Sequence, residues 1–293
     1  MSEALARSGR VPVLAAGALF VAPLLLGAVP HPAAGQEWAT AQFSRQLQDQ
    51  DEVEVRVRYG AGQFTLAPLA TNHFYRVRLR YDETGFQPIH DYRAGRLTVG
   101  VEGTQRRTAL RRGDRGGELD VELSTRVPMR LHLEFGAVQA DLDLGGLQLQ
   151  RLELSTGASD TRIQVSEPNP IPMEWARFQV GAAAFSARDL GRLNARELEV
   201  EAGVGDVRID LGGLERDETR VRAKMGLGSL EIRVPRGVGI RLDRSTFLTS
   251  VTAPDLTRRG DSYYSPEWET ATRRVAIEVD AAFGSVTVGR MDR

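Results

Sequence analysis

The sequence predicts an all-β fold, a right-handed β-solenoid of stacked coils of about 22 residues each. Three observations carry this. A short unit recurs at near-even spacing, each copy alternates polar and apolar residues, and aligned columns hold the same residue classes. One copy reads Gly203-Val204-Gly205-Asp206-Val207-Arg208-Ile209, the next Gly226-Leu227-Gly228-Ser229-Leu230-Glu231-Ile232. Copies begin at Gly136, Gly157, Gly181, Gly203, Gly226 and, more weakly, Phe247, in steps of 21, 24, 22, 23 and 21 residues. A further copy follows at Ala282 after 35 residues, and an isolated one stands at Gly60. An antiparallel β-sandwich also has short, evenly spaced strands. It is the alternative, but it gives no reason for columns to share identity.

Taken in chain order, residues 1–35 read as a signal peptide. Arg7 and Arg10 precede an apolar run from Val11 to Val29, and Ala33-Ala34-Gly35 offers small residues for cleavage before Gln36. The rival reading is an uncleaved helix that tethers the protein, because the run approaches spanning length. Both readings export the rest of the chain, to the periplasm or beyond the cell. The sequence has no cysteine, which excludes a disulfide framework and a lipidated cysteine.

Residues 36–130 read as an N-terminal β cap or a widened set of first coils. Glu52–Arg58 and Tyr75–Tyr81 alternate as strands do, but only the Gly60 copy matches the repeat. Residues 131–293 hold the solenoid repeats. The fifth column there includes Ala140, Thr161, Phe185, Val207, Leu230, Val251 and Val286, and the seventh includes Leu142, Ile163, Ile209, Ile232 and Val288. The column between them is polar: Asp141, Arg162, Ser186, Arg208, Glu231, Thr252, Thr287. Such alternation places one face inward and one in water. Column six sets Asp141 beside Arg162 and Arg208 beside Glu231 on adjacent coils, pairs that fix register because a slip would stack like charges.

Second strands are expected within the units at Leu149–Leu154, Arg196–Glu201 and Thr219–Lys224, joined by Leu-Gly-Gly-Leu turns at 144–147 and 211–214. Pro168, Pro170 and Pro172 mark a short interruption. The 35-residue step contains an inserted arm, 257–272, expected to cover the open end of the stack, since exposed strand edges invite aggregation.

The units resemble the toastrack and adhesin-like β-solenoid domains of bacterial envelope proteins. Gly237-Val238-Gly239-Ile240, then Ser250-Val251-Thr252-Ala253-Pro254-Asp255-Leu256, then Arg259-Gly260-Asp261-Ser262-Tyr263-Tyr264 resemble the end of the cell-wall-active antibiotic response (LiaF-like) domain. Val275-Ala276-Ile277-Glu278-Val279 and Phe283-Gly284-Ser285-Val286-Thr287-Val288 fit it too, so the resemblance spans roughly residues 130–290. It implies a fold and an envelope location and supplies no catalytic residues.

The chemistry-bearing residues point the same way. Lys and Arg number 38 against 39 Asp and Glu, for a net charge of −1, which is not the footprint of a nucleic-acid binder. The Gly-x-Gly pairs open strands rather than helices, and no P-loop occurs, which excludes a nucleotide site. His73, His90 and His132 are far apart in sequence, with no cysteine to complete a zinc set. Asp141/Asp143 and Asp206/Asp210 each project two carboxylates outward, the feature a polysaccharide-cleaving β-helix would use. No cofactor, metal or catalytic set is expected. Tyr263, Tyr264 and Trp268 cluster on the arm. They pack over the last coil or form a partner-binding tip.

The sequence therefore reads as an exported, non-enzymatic scaffold, adhesin or interaction module, with another envelope protein or cell-wall glycan as partner. The alternatives are a carbohydrate-active or glycan-binding β-helix and a regulatory partner of a membrane stress sensor.

Overall fold

The computed structural model describes residues 37–48, 50–103 and 116–291, so the leader assigned to 1–35 lies outside the described residues. Strands β1 (Trp38–Gln46), β2 (Val53–Leu69), β3 (His73–Asp82), β4 (Phe86–Arg93), β5 (Arg96–Gly103) and β6 (Gly117–Ser124) come first. Five long strands follow: β7 (Met129–Asp143), β8 (Leu149–Gln164), β9 (Met173–Arg188), β10 (Ala195–Asp210) and β11 (Glu218–Val234). The chain ends with β12 (Gly239–Thr246), β13 (Thr249–Thr252), β14 (Thr257–Arg259), β15 (Ser262–Tyr264) and β16 (Arg274–Arg290). Strands β2, β7, β8, β9, β10 and β11 stack in parallel, each pairing with the next, and β16 follows β11. This is the stacked solenoid. The parallel ladder excludes the antiparallel sandwich, and antiparallel pairs occur only where the two ends are capped.

Each long strand bends once, at its glycine unit. In β10 the buried residues are Leu198, Val200 and Ala202 before the bend and Val207 and Ile209 after it. The alternation thus changes phase across Gly203-Val204-Gly205, which lets both arms of one strand face the same core. The segments Arg196–Glu201 and Thr219–Lys224 are accordingly not separate strands. They are the first arms of β10 and β11, continuous with the repeat unit. The sequence shows two strands because the phase change looks like a break. A third wall comes from the Leu-Gly-Gly-Leu turns, whose Leu144, Leu147, Leu211 and Leu214 are all buried.

Column three explains the bend. Gly205 and Gly228 take φ of 139° and 140°, a region open to glycine and strained for any residue with a Cβ. A Cβ on Gly228 would also overlap the Gly205 carbonyl oxygen of the rung below. Gly228→Ala is therefore expected to cost about 3 kcal/mol, the sum of backbone strain and displaced neighbours. Urea denaturation measures this, and an unchanged midpoint would contradict the corner geometry.

The proline-rich interruption between β8 and β9 has a structural role that the sequence did not reveal. Asn169 is buried there, and its Nδ2 donates to the carbonyls of Leu149 (2.7 Å) and Leu193 (3.0 Å). Its Oδ1 accepts from the amides of Leu149 (3.3 Å) and Ile171 (3.2 Å). One side chain thereby satisfies the backbone of three successive levels, where an unpaired group would cost about 1–3 kcal/mol.

Both ends depart from a simple coil. At the start, β5 pairs with the first arm of β2 and β6 with its second, so two separate segments supply one level. β6 then pairs antiparallel with β3, β3 with β1, and β5 with β4. At the other end the rung order departs from chain order. β16 lies between β11 and β12, pairing with β11 from Glu218↔Arg274 to Val234↔Arg290 and with β12 from Gly239↔Arg274. β13, which carries the Phe247 copy, also pairs with β16. The hairpin β14–β15 then closes the edge of β12, with Leu242 opposite Tyr263.

Candidate functional site

The bends stack into one corner that runs along the rod. Column one (Gly60, Gly136, Gly157, Gly181, Gly203, Gly226, Ala282) floors a groove of about 1230 Å³. Column one stays small because the rungs approach closely there. A Cβ on Gly203 would lie 2.7 Å from the Gly181 carbonyl oxygen. One wall is a polar row that includes Glu134, Gln179, Glu201 and Lys224. Beside the floor, column two is Ala61, Ala137, Ala158, Ala182, Val204, Leu227 and Phe283, small at the N-terminal end and large at the other.

The outer faces of the two arms carry the carboxylates that an enzyme would need, and several of these are matched with cations of the same or a neighbouring rung. Arg162 lies 3.5 Å from Asp141 and 2.7 Å from Asp160, and Arg208 Nε donates to Glu231 at 2.7 Å. The register places both expected pairs, Asp141↔Arg162 and Arg208↔Glu231, directly opposite. The hydrogen bond from Arg208 holds the Glu231 carboxyl below its ordinary pKa despite partial burial. The first arms repeat the scheme with Arg177–Glu199 at 2.7 Å, Lys224–Glu201 at 2.5 Å and Arg222 between Glu197 and Glu278. Exposed pairs of this kind contribute about 0–1 kcal/mol each, so their main effect is to fix register.

Asp141, Asp143, Asp160, Asp206 and Glu231 line one groove of about 740 Å³ on the second arms, with Arg162, Arg188 and Arg208 interleaved among them. Asp143 accepts from the Gly145 and Ser166 amides and the Ser166 hydroxyl, which ties it into the turn below. Asp206 accepts from Ser229 Oγ at 2.5 Å. Asp210 differs, because burial raises its pKa and its Oδ1 has no hydrogen-bond partner. The nearby carboxylates of Glu231 and Asp189 add to that rise, and the guanidiniums of Arg233 and Arg188 oppose it.

The arm aromatics are ordered and partly covered. Tyr263 packs against the core, accepts from Arg244 at 2.8 Å and lies under its guanidinium at 5.1 Å. Tyr264 and Trp268 meet edge to face with centroids 5.7 Å apart. Arg259 stands 5.8 Å over the Tyr264 ring and Arg274 5.8 Å over Trp268. The structure thus brings Tyr264 and Trp268 together and sets Tyr263 on the covered side.

Residues 34–183, half of the chain, match the family described as the N-terminal domain of toast_rack, DUF2154. The chain belongs to the toast-rack family. Residues 188–288 match the C-terminal domain of the cell wall-active antibiotics response protein LiaF. No curated protein matches the sequence. Among solved structures, a candidate cell adhesion protein from Clostridium sporogenes aligns over 87% of this chain and 100% of its own. The identity is 12% and the TM-score 0.46. A candidate adhesin from Bacteroides fragilis aligns over 88% of this chain and 98% of its own, with 11% identity and a TM-score of 0.36.

The two family matches meet between Ala183 and Arg188, yet the ladder crosses that point unbroken from β9 to β10. At the N-terminal end of the toast-rack stack an aromatic plug closes the core. Phe43 stacks on His90 at 4.1 Å, and the Tyr75 hydroxyl lies 2.7 Å from His90 Nε2. Burial lowers the His90 pKa and raises that of Tyr75. His132 sits on an outer face, its Nδ1 3.2 Å from Glu153, and His73 bonds Gln46 at 3.1 Å. Among the described residues no group of three His, Asp or Glu is placed to hold a metal ion. Nor is any helix there long and apolar enough to cross a membrane.

Proposed function

We propose that this toast-rack protein is an exported, non-enzymatic interaction module of the bacterial envelope. The observation that carries this reading is the state of its outer carboxylates. Asp141 and Glu231 face arginines of neighbouring rungs and Asp206 a serine, so the faces that could act on a polymer are knit into the stack. The family supports an envelope setting, as does the leader-like segment at 1–35. The partner surface assigned to an envelope protein or cell-wall glycan is the arm tip, where the half-buried rings of Tyr264 and Trp268 meet beside Arg259 and Arg274. Sugars and extended peptides both favour such aromatic and guanidinium surfaces.

Incubation of the purified chain with cell-wall glycan should give saturable binding and no new reducing ends. Trp268→Ala combined with Tyr264→Ala is expected to weaken that binding at least tenfold, while Asp141→Asn and Asp206→Asn leave it unchanged. Release of glycan fragments, lost in either aspartate variant, would establish the carbohydrate-active alternative instead.

A further inference from the structure

The five large apolar side chains that stand exposed among the described residues belong to one line. They are Val204 (49% exposed), Leu227 (51%), Phe283 (45%), Phe247 (65%) and Leu248 (71%). Val204 pairs with Leu227 and Leu227 with Phe283 across β10, β11 and β16. The Leu248 carbonyl accepts from the Gly284 amide, and Phe247 meets Phe283 edge to face at 5.9 Å. Leu248, in the bend between β12 and β13, holds φ of 44°, a left-handed conformation that costs a leucine of order 1 kcal/mol or more. The result is an apolar ridge over the last rungs of the rod, directly beside the groove floored by Gly203, Gly226 and Ala282.

We propose that this ridge and groove form the interface with a second copy of the chain. The exposed apolar area is on the order of 500 Å² per copy, at the upper end of what monomeric proteins show. Two copies would bury roughly 1,000 Å², the lower limit for a specific interface. Shape supplies complementarity. A two-fold axis parallel to the rod lays the ridge of each copy into the glycine-floored groove of the other.

Charge selects the occupant. The rim is hydroxyl-rich, with Ser229, Ser285, Ser250, Thr287 and Thr252 in columns four and six, and carries the carboxylates of Asp206 and Asp280. Of the nearby charges, Lys224 pairs with Glu201 and Arg208 with Glu231. An isologous interface sets each surface against its own copy and suits a rim made mostly of hydroxyls. A membrane surface would call for a cluster of lysines and arginines, whereas Arg244, three residues before Phe247, is held over Tyr263 and the rim carries Asp206 and Asp280.

Sedimentation equilibrium of the purified full chain is expected to show dimers at about 100 µM, above the micromolar constants expected of a small interface. Leu227→Asp, and separately Phe247→Ser with Leu248→Ser, should weaken association by at least about 30-fold with an unchanged melting temperature. The chain has no cysteine of its own, so single cysteines report geometry. Parallel rods predict disulfide dimers from Val204→Cys, Leu227→Cys and Phe283→Cys alike. A monomer at every concentration would overturn the proposal, as would a dimer indifferent to the ridge variants. Vesicle binding that depends on the ridge, by a chain monomeric in solution, would assign the surface to lipid. None of these readouts depends on the arm tip, so either assignment can fail alone.

Discussion

Ile209→Asp is expected to abolish cooperative folding of the stack, or to lower its melting temperature by about 10–20 °C. The side chain is 1% exposed in the seventh column, between Ala187 of β9 and Ile232 of β11. An aspartate there loses an apolar side chain and buries a carboxylate with no partner, a combined cost of about 5 kcal/mol. That is a large share of the stability of an ordinary domain, and for a chain of this size each kcal/mol moves the midpoint by about 2–4 °C. Arg208→Asp, one position away on the wet face, is the control. It loses the Glu231 pair and gains a like-charge contact, for about 1 kcal/mol. Circular dichroism melts of both variants test the register. Equal midpoints would mean that 208 and 209 do not face opposite sides.

Removal of residues 274–293 should do more than shorten the rod. In a solenoid stacked in chain order, the last segment is the outermost level, and its loss would leave the others paired. Here β16 lies inside the stack, so its removal takes away the only ladder partner that joins β12 and β13 to β11. It also withdraws Val275, Ile277, Val279, Val286 and Val288 from the core. Residues 239–273 are then expected to become fully sensitive to protease and to lose amide protection, while β2 to β11 retain theirs. Addition of a peptide spanning 274–290 should restore protection, because it refills a preformed slot between two parallel edges. Persistent protection of β12 in the truncated chain would show that it can pair with β11 directly, contrary to the observed order.

What was legible in the sequence was local. The columns through Val207 and Ile209 lie inward and the column through Arg208 outward, as alternation requires. The ion pairs Asp141–Arg162 and Arg208–Glu231 form because register between neighbouring copies follows from those columns. The arm was legible as an interruption of the repeat, within which β15 pairs with β12 and β14 with β15. The single bent strand in each unit was not, because a change of alternation phase across Gly203–Gly205 reads as two strands. The four hydrogen bonds of Asn169 gave no signal either, since nothing in a proline-rich connection marks which polar residue turns inward.

The sequence by itself determined that this chain stacks like copies in shared columns and which of their faces are dry. Those properties rest on side-chain period, which is set within a few residues. Only the tertiary structure decided which rung lies beside which. Backbone edges are nearly interchangeable among copies with the same columns, so Leu227 could have met Leu248 as readily as Phe283. The insertion of β16 settled that choice, and with it assembled Val204, Leu227, Phe283, Phe247 and Leu248 into one exposed line.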